Sequence, residues 1–251
     1  MMKPIRPFKF KRFECSHAVS SMKIGVDAVM LGAWADASGE RVLDVGCGCG
    51  VIALMIAQRN GYADIMAIDI HSESIEEASA NFVASPWGAR LHAAVEDFSE
   101  MKAGRDRFDL IISNPPYFDS GVSRPDTPRL VARHQDTLSP EVLVARSVEM
   151  LTPTGRLAMI VPASFEQSLE ACASAVGLRV SRACRVAGTK SSAPKRVMME
   201  FARHTAKEKV EESLAIEYSP GRYTGEYMAL TGEFYLDRAF RREENVGTRS
   251  K

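Results

Sequence analysis

The heptapeptide Asp44-Val45-Gly46-Cys47-Gly48-Cys49-Gly50 constrains this chain more than any other stretch. Three alternate glycines follow a short apolar run, residues 41–45, and precede an apolar segment, 51–60, of helical character that stops at Gly61. Glycine permits a tight turn there and lets a ligand approach the backbone closely. A strand, such a turn and then a helix is the opening unit of a parallel α/β sheet. The rest of the chain keeps the rhythm. Residues 63–70 read as a second strand, and Ser72 or Ser74 caps a helix with Ile75, Ala78, Phe82 and Val83 on one face. Residues 91–95 and 108–112 are a third and a fourth strand. Ser139 with Pro140 starts the next helix, because proline fits the first helical position. Residues 156–161 are a fifth strand, and the apolar stretches 178–187 and 196–202, after a helix ending near residue 176, add two more. The predicted fold is α/β, a doubly wound, mostly parallel seven-stranded sheet with helices on both faces.

Composition narrows the function classes. The 251 residues carry 32 Lys+Arg and 32 Asp+Glu, are 45% hydrophobic and 25% charged, and so fit neither a disordered chain nor an integral membrane protein. A net charge of zero lacks the simplest mark of a nucleic-acid binder but allows a local basic patch. No apolar run approaches the ~20 residues of a membrane helix, and the basic and aromatic N-terminus lacks the apolar core of a secretory signal. Five irregularly spaced cysteines, Cys15, Cys47, Cys49, Cys172 and Cys184, make no disulfide framework and place the chain in the reducing cytoplasm. Cys47 and Cys49 lack the second ligand pair of a structural zinc site, so no metal is expected. The expected organisation is a segment 1–40 packed on the core, a domain 41–240, and a charged tail 241–251 that frays.

The chemistry concentrates at the strand ends. A dinucleotide fingerprint reads G-x-G-x-x-G; here Gly46, Gly48 and Gly50 alternate and Val51 takes the last glycine's place. Asp44 would repel a pyrophosphate and suits a ligand bearing an ammonium or sulfonium cation, such as S-adenosylmethionine. Asp69 ends the second strand, 25 residues after Asp44, where an acid accepts hydrogen bonds from a ribose diol. Asp97 and Phe98 follow the third strand, where a carboxylate can accept from an adenine amine and an aromatic can cover the ring.

Asn114-Pro115-Pro116-Tyr117 follows the fourth strand, at the carboxyl edge where ligands bind in such folds. An exocyclic amine on an aromatic ring is a poor nucleophile because its lone pair is delocalised. Two acceptors aimed at its N–H bonds, the Asn114 side-chain oxygen and the Pro115 carbonyl, favour a more nucleophilic nitrogen. The prolines stiffen the turn, and Tyr117 offers a flat face for a base.

These motifs resemble the class I S-adenosylmethionine-dependent methyltransferases that methylate amines: adenine N6, guanine N2, cytosine N4 or a glutamine amide. The resemblance implies the strand order 3-2-1-4-5-7-6, with strand seven antiparallel. Residues 13–36, ending in Lys23-Ile24-Gly25-Val26-Asp27 and the stretch to Trp34, together with Ala84-Ser85-Pro86-Trp87, residues 132–139 and residues 223–227, are similar to the bacterial tRNA(Val) adenine-N6 methyltransferases. That family modifies the adenine adjacent to the anticodon. It implies that Lys23 and Asp27 face the methionine end of S-adenosyl-L-methionine; a helix packed under the sheet explains these two residues equally well. Val26 stands where the family has threonine.

With tRNA implied as the partner, phosphate contacts must come from local cations. Candidates are Arg124, Arg129, Arg133 and His134 in the long Pro-rich loop, Lys190, Lys195 and Arg196 between the last two strands, and the basic residues of 1–12. Three other readings compete. A protein glutamine N5-methyltransferase shares the Asn-Pro-Pro-Tyr motif but carries an N-terminal helical bundle, for which 40 residues before Arg41 are few. A non-catalytic RNA-binding protein would not need Asp44, the glycines and the tetrapeptide together. A dinucleotide-dependent dehydrogenase is disfavoured by the glycine spacing and Asp44.

Overall fold

A computed structural model describes residues 6–19, 23–102, 104, 107–116, 138–203 and 208–240. Tyr117, Arg124, Arg129, Arg133, His134 and the tail expected to fray lie outside the described residues. A small antiparallel hairpin pairs β1 (Phe8–Lys9) with β2 (Glu14–Cys15). Helix α1 (Val26–Trp34) leads into an alternating series. It runs β3 (Arg41–Val45), α2 (Val51–Arg59), β4 (Asp64–Asp69), α3 (Ser72–Ala84), β5 (Leu91–Val95) and β6 (Phe108–Ser113). Beyond the loop come α4 (Pro140–Met150), β7 (Leu151–Pro162), α5 (Glu166–Ala175), β8 (Leu178–Thr189) and β9 (Arg196–Arg203). The chain continues through β10 (Val210–Ser219), β11 (Arg222–Tyr223) and α6 (Gly225–Thr231).

The main sheet has the order β11-β10-β8-β9-β7-β6-β3-β4-β5. Its pairings are parallel except where β9 meets β7 and β8 and where β11 meets β10. The seven expected strands stand in the expected order, with the seventh antiparallel. The sheet does not stop at seven: β10 and β11 extend it to nine strands among the described residues. Strand β10 is anchored by a charged cluster. Trp34 Nε1 donates to Glu212 Oε2 at 2.6 Å, and the Arg182 guanidinium lies 4.2 Å over the Trp34 ring while bonding Glu212.

Strands β3 and β6 and the second half of β7, from Leu157, are near-continuous apolar runs because helices cover both faces. Alternation sorts their side chains. Val42, Leu110, Ile112, Ala158 and Ile160 join Leu31, Leu54, Ile56 and Phe82 under α1, α2 and α3. Leu43, Ile111, Leu157 and Met159 join Leu143, Leu169 and Phe201 on the α4 and α5 face. A Cβ on Gly32 would lie 2.9 Å from Met55 Sδ, which is how closely α1 and α2 approach. Helix α4 starts as expected, with Ser139 Oγ accepting from the Val142 amide. Helix α3 does not: His71 occupies the cap, and Ser74 is buried within the helix. Among the described residues no helix is long and apolar enough to cross a membrane.

Candidate functional site

Parallel strands end on one edge, so β3, β4, β5 and β6 deliver the glycine turn, Asp69, Asp97 and Asn114 to the same side of the sheet. Register makes this specific: Asp44 pairs with Ile112, Val45 with Ile68, and Asp69 with Val95.

The turn is held from below and from its flank. The Gly46 and Cys47 amides donate to the Ile68 carbonyl at 2.9 and 3.0 Å, and the Gly48 amide donates to Asp69 Oδ2 at 3.0 Å. Gly46, Gly48 and Gly50 have φ of 68°, 53° and 79°, the left-handed region that glycine tolerates. Their surroundings differ. A Cβ on Gly46 or Gly48 would meet nothing within 4 Å among the described residues, whereas one on Gly50 would lie 2.5 Å from the Phe82 ring. The first two glycines thus border open space, and the third lets α3 pack against the turn. Cys47 and Cys49 are buried fillers of that packing.

Asp44 is fully buried. Its Oδ2 accepts from the Ala53 amide at 3.1 Å, so the strand carboxylate caps the first turn of α2, which has no side-chain cap of its own. Its Oδ1 has no hydrogen-bond partner among the described residues. Burial pushes the Asp44 carboxyl up to about 7, and nearby Asp69 adds to this against the Ala53 hydrogen bond. Asp69 is half-buried. Besides Gly48, its Oδ1 accepts from the His71 amide at 2.9 Å. A carboxylate offers about four lone-pair positions, so acceptor capacity remains.

Asn114 is half-buried, and its Oδ1 is buried without a hydrogen-bond partner among the described residues; Pro115 is buried beside it. Asp97 is exposed and accepts from the Ser99 amide and hydroxyl. Phe98 differs from expectation. It is packed in the core with Val45 and Ile68, 2% exposed, rather than presenting a ring face at the edge.

The outlying candidates sit as follows. Lys23 is exposed. Asp27 at the start of α1 pairs with Arg196 at the start of β9, Nε to Oδ2 2.8 Å. Because Arg196 stands opposite Pro162, the end of β7, this pair also lies at the carboxyl edge. Lys190 is 3.5 Å from Glu226 and 5.0 Å above the Tyr218 ring, and Lys195 is exposed. The loop 190–195 therefore shares the edge with the glycine turn.

Sequence reasoning missed Ser113, Glu77 and Asn81. Ser113 Oγ donates to the Val45 carbonyl, while Glu77 and Asn81 bind the chain at 15–19. The two α3 residues carried a signal: polar side chains four apart on the apolar face of a helix need partners.

Residues 22–176 match the family model described as the methyltransferase small domain. A tRNA1(Val) (adenine(37)-N6)-methyltransferase from Tolumonas auensis is 38% identical over 231 residues, 91% of this chain and 96% of the relative. The chain belongs to this methyltransferase family. A tRNA1(Val) (adenine(37)-N6)-methyltransferase from Porphyromonas gingivalis is 40% identical over 244 residues, 92% of this chain and 96% of the relative. The methyltransferase fold is shared more widely. A predicted O-methyltransferase from Agrobacterium tumefaciens superposes with a TM-score of 0.63 at 17% identity, covering 83% of this chain and 96% of that one. A glycopeptide N-methyltransferase solved with S-adenosylmethionine superposes with a TM-score of 0.53 at 12% identity, over 75% of this chain and 98% of that one.

Proposed function

We propose that this methyltransferase transfers a methyl group from S-adenosylmethionine to the N6 amine of an adenine in tRNA, the adenine next to the anticodon of tRNA(Val). The observation that carries the reading is the buried Asn114 Oδ1, without a partner among the described residues and at the strand end whose register sets it beside the glycine turn. The names and high coverage of the relatives support the same substrate.

The residues present fit the cofactor. Among the described residues, Gly46 and Gly48 border space that a Cβ would fill, and Asp44 Oδ1 under the turn has no hydrogen-bond partner. Gly46, Gly48 and Gly50 would supply the backbone cradle, Asp69 the ribose acceptor, and Asp97 the acceptor for the adenine amine. Phe98 supports that corner from the core. Lys23 and Asp27 would stand toward the methionine end. When bound, S-adenosylmethionine supplies an electrophilic methyl on a sulfonium.

The chain's own part is positioning and polarisation. The target base leaves its stack to reach the edge. Asn114 Oδ1 and the Pro115 carbonyl accept its two amine hydrogens, drawing the lone pair onto nitrogen, and they stabilise the positive charge that grows there. Pro116 fixes the direction of the turn, and Tyr117 stacks on the base. Lys190, Lys195 and Arg196, with Arg124, Arg133 and His134 of the loop, hold the RNA phosphates. The reading places residues 1–40 as a cofactor- and RNA-facing segment on a domain of 41–240, working in the cytoplasm.

Methylation of bulk tRNA with labelled S-adenosylmethionine, followed by nucleoside analysis, tests this. N6-methyladenosine is the expected product. N2-methylguanosine, or label in protein glutamine instead of RNA, would overturn the reading.

A further inference from the structure

We propose that Asn81 and Glu77 are positioning residues for cofactor binding, which act by clamping the segment 15–19 against the glycine turn. The proposal rests on the reading that residues 46–50 hold S-adenosylmethionine.

Asn81 is 4% exposed and bonds two chain segments at once, residues 15–16 and the glycine turn. Its Nδ2 donates to the Cys49 carbonyl at 2.9 Å and to the Ser16 carbonyl at 2.9 Å, and lies 3.3 Å from Cys15 Sγ. Its Oδ1 accepts from the Ser16 amide at 2.8 Å. One helical turn earlier, Glu77 Oε1 accepts from the Ala18 and Val19 amides at 2.5 and 3.2 Å. Cys15 Sγ reaches the Cys49 carbonyl at 3.7 Å. The segment is therefore fastened along its length to α3 and, through Asn81 and Cys15, to the turn itself.

The consequence is geometric. The peptide joining Cys49 to Gly50 is held on its carbonyl by Asn81 and on its amide by the Cys47 carbonyl. The Gly48 amide is held by Asp69. The turn is thus braced from two sides, by Asp69 of β4 and by Asn81 of α3. Between Ser16, held by Asn81, and Ala18, held by Glu77, His17 has its Nδ1 buried without a hydrogen-bond partner among the described residues. Preorganising a turn lowers the ordering cost of binding. Neither Asn81 nor Glu77 is placed at the target amine, so the effect falls on cofactor affinity and not on transfer at saturation.

The test measures S-adenosylmethionine binding by calorimetry, together with KM for the cofactor and kcat on tRNA. Asn81→Ala should raise both Kd and KM by about tenfold or more, as expected for one or two lost hydrogen bonds, with kcat changed less than about twofold. Glu77→Ala should act in the same direction, and Glu77→Gln, which keeps the acceptor, should bind more tightly than Glu77→Ala. Hydrogen exchange at the Ser16, Ala18 and Val19 amides should slow when the cofactor binds wild type, and much less in Asn81→Ala. If Asn81→Ala does not fold, the Glu77 pair decides. Unchanged affinity in the folded variants, or a fall in kcat alone, would overturn the clamp. Wild type failing to bind S-adenosylmethionine would instead overturn the site.

Discussion

The Ser113 hydroxyl donates to the Val45 carbonyl at 2.8 Å, tying the end of β6 to the end of β3. With Ile112 already paired to Asp44, this bond sets Asn114 level with the first glycine of the turn. Ser113→Ala should leave that buried carbonyl short of a donor and cost about 1–3 kcal/mol of stability. Urea unfolding checks this. An unchanged midpoint would show that the two strand ends hold their register without the bond.

The glycines separate a structural from a binding role. Gly48→Ala places a Cβ with no described residue within 4 Å, so its folding cost should be the strain of positive φ, about 1–3 kcal/mol. It should nevertheless weaken S-adenosylmethionine binding, because the Cβ enters the cradle. Gly50→Ala drives a Cβ to 2.5 Å from the Phe82 ring and should cost more stability than Gly48→Ala. Thermal unfolding and calorimetry on the two variants give the comparison; the reverse ranking in either assay would contradict the assignment.

Asp44 makes stability depend on pH. Burial raises its carboxyl to about 7 in the folded state, against about 3.9 unfolded. Between these values the folded chain holds a proton that the unfolded chain has released. Stability from this group is complete below about pH 4, falls as pH rises through 7, and is flat above. The loss is of order a few kcal/mol, at about 1.4 kcal/mol per pH unit. Denaturation at pH 5 and pH 8 should show a larger fall for wild type than for Asp44→Asn. Equal falls would mean that Asp44 is already ionised at pH 5.

Much of this site is legible in the amino-acid sequence, for a physical reason. Strands β3, β4 and β6 are short apolar runs each ending in a residue with its own chemistry, and parallel pairing brings those ends together. What escaped has physical reasons too. Strand β10 pairs Glu211 with Glu212 and runs Leu214, Ala215 and Ile216 together, with Leu214 its one buried residue, so it shows no two-residue period. The β1–β2 hairpin has two residues per strand, too few for any period. Phe98 has the same sequence context whether it covers a ligand or fills the core. Asn81 and Glu77 act through backbone partners more than thirty positions away; their polarity on an apolar face signals that partners exist, but no local pattern says which.

At the RNA rim, Lys195 and Arg196 should behave differently although adjacent. Lys195 is exposed, so Lys195→Ala should lower the slope of log affinity for tRNA against log salt by about 0.7–0.9 without changing cofactor affinity. Arg196 is tied to Asp27 across 169 positions, so Arg196→Ala should also loosen the start of α1 and reduce stability. Filter binding over a salt series measures the slope. If Lys195→Ala leaves it unchanged, the loop 190–195 does not touch phosphate.

In the proposed reaction Asn114 grips the amine that is methylated. Single-turnover methylation of tRNA at saturating S-adenosylmethionine tests it most directly, with Asn114→Ala compared to wild type. Loss of a preorganised acceptor at a centre where charge develops typically costs ~10²–10³ in rate. A loss of that size, with cofactor affinity nearly intact, is the expected result. A near wild-type rate for Asn114→Ala would contradict it.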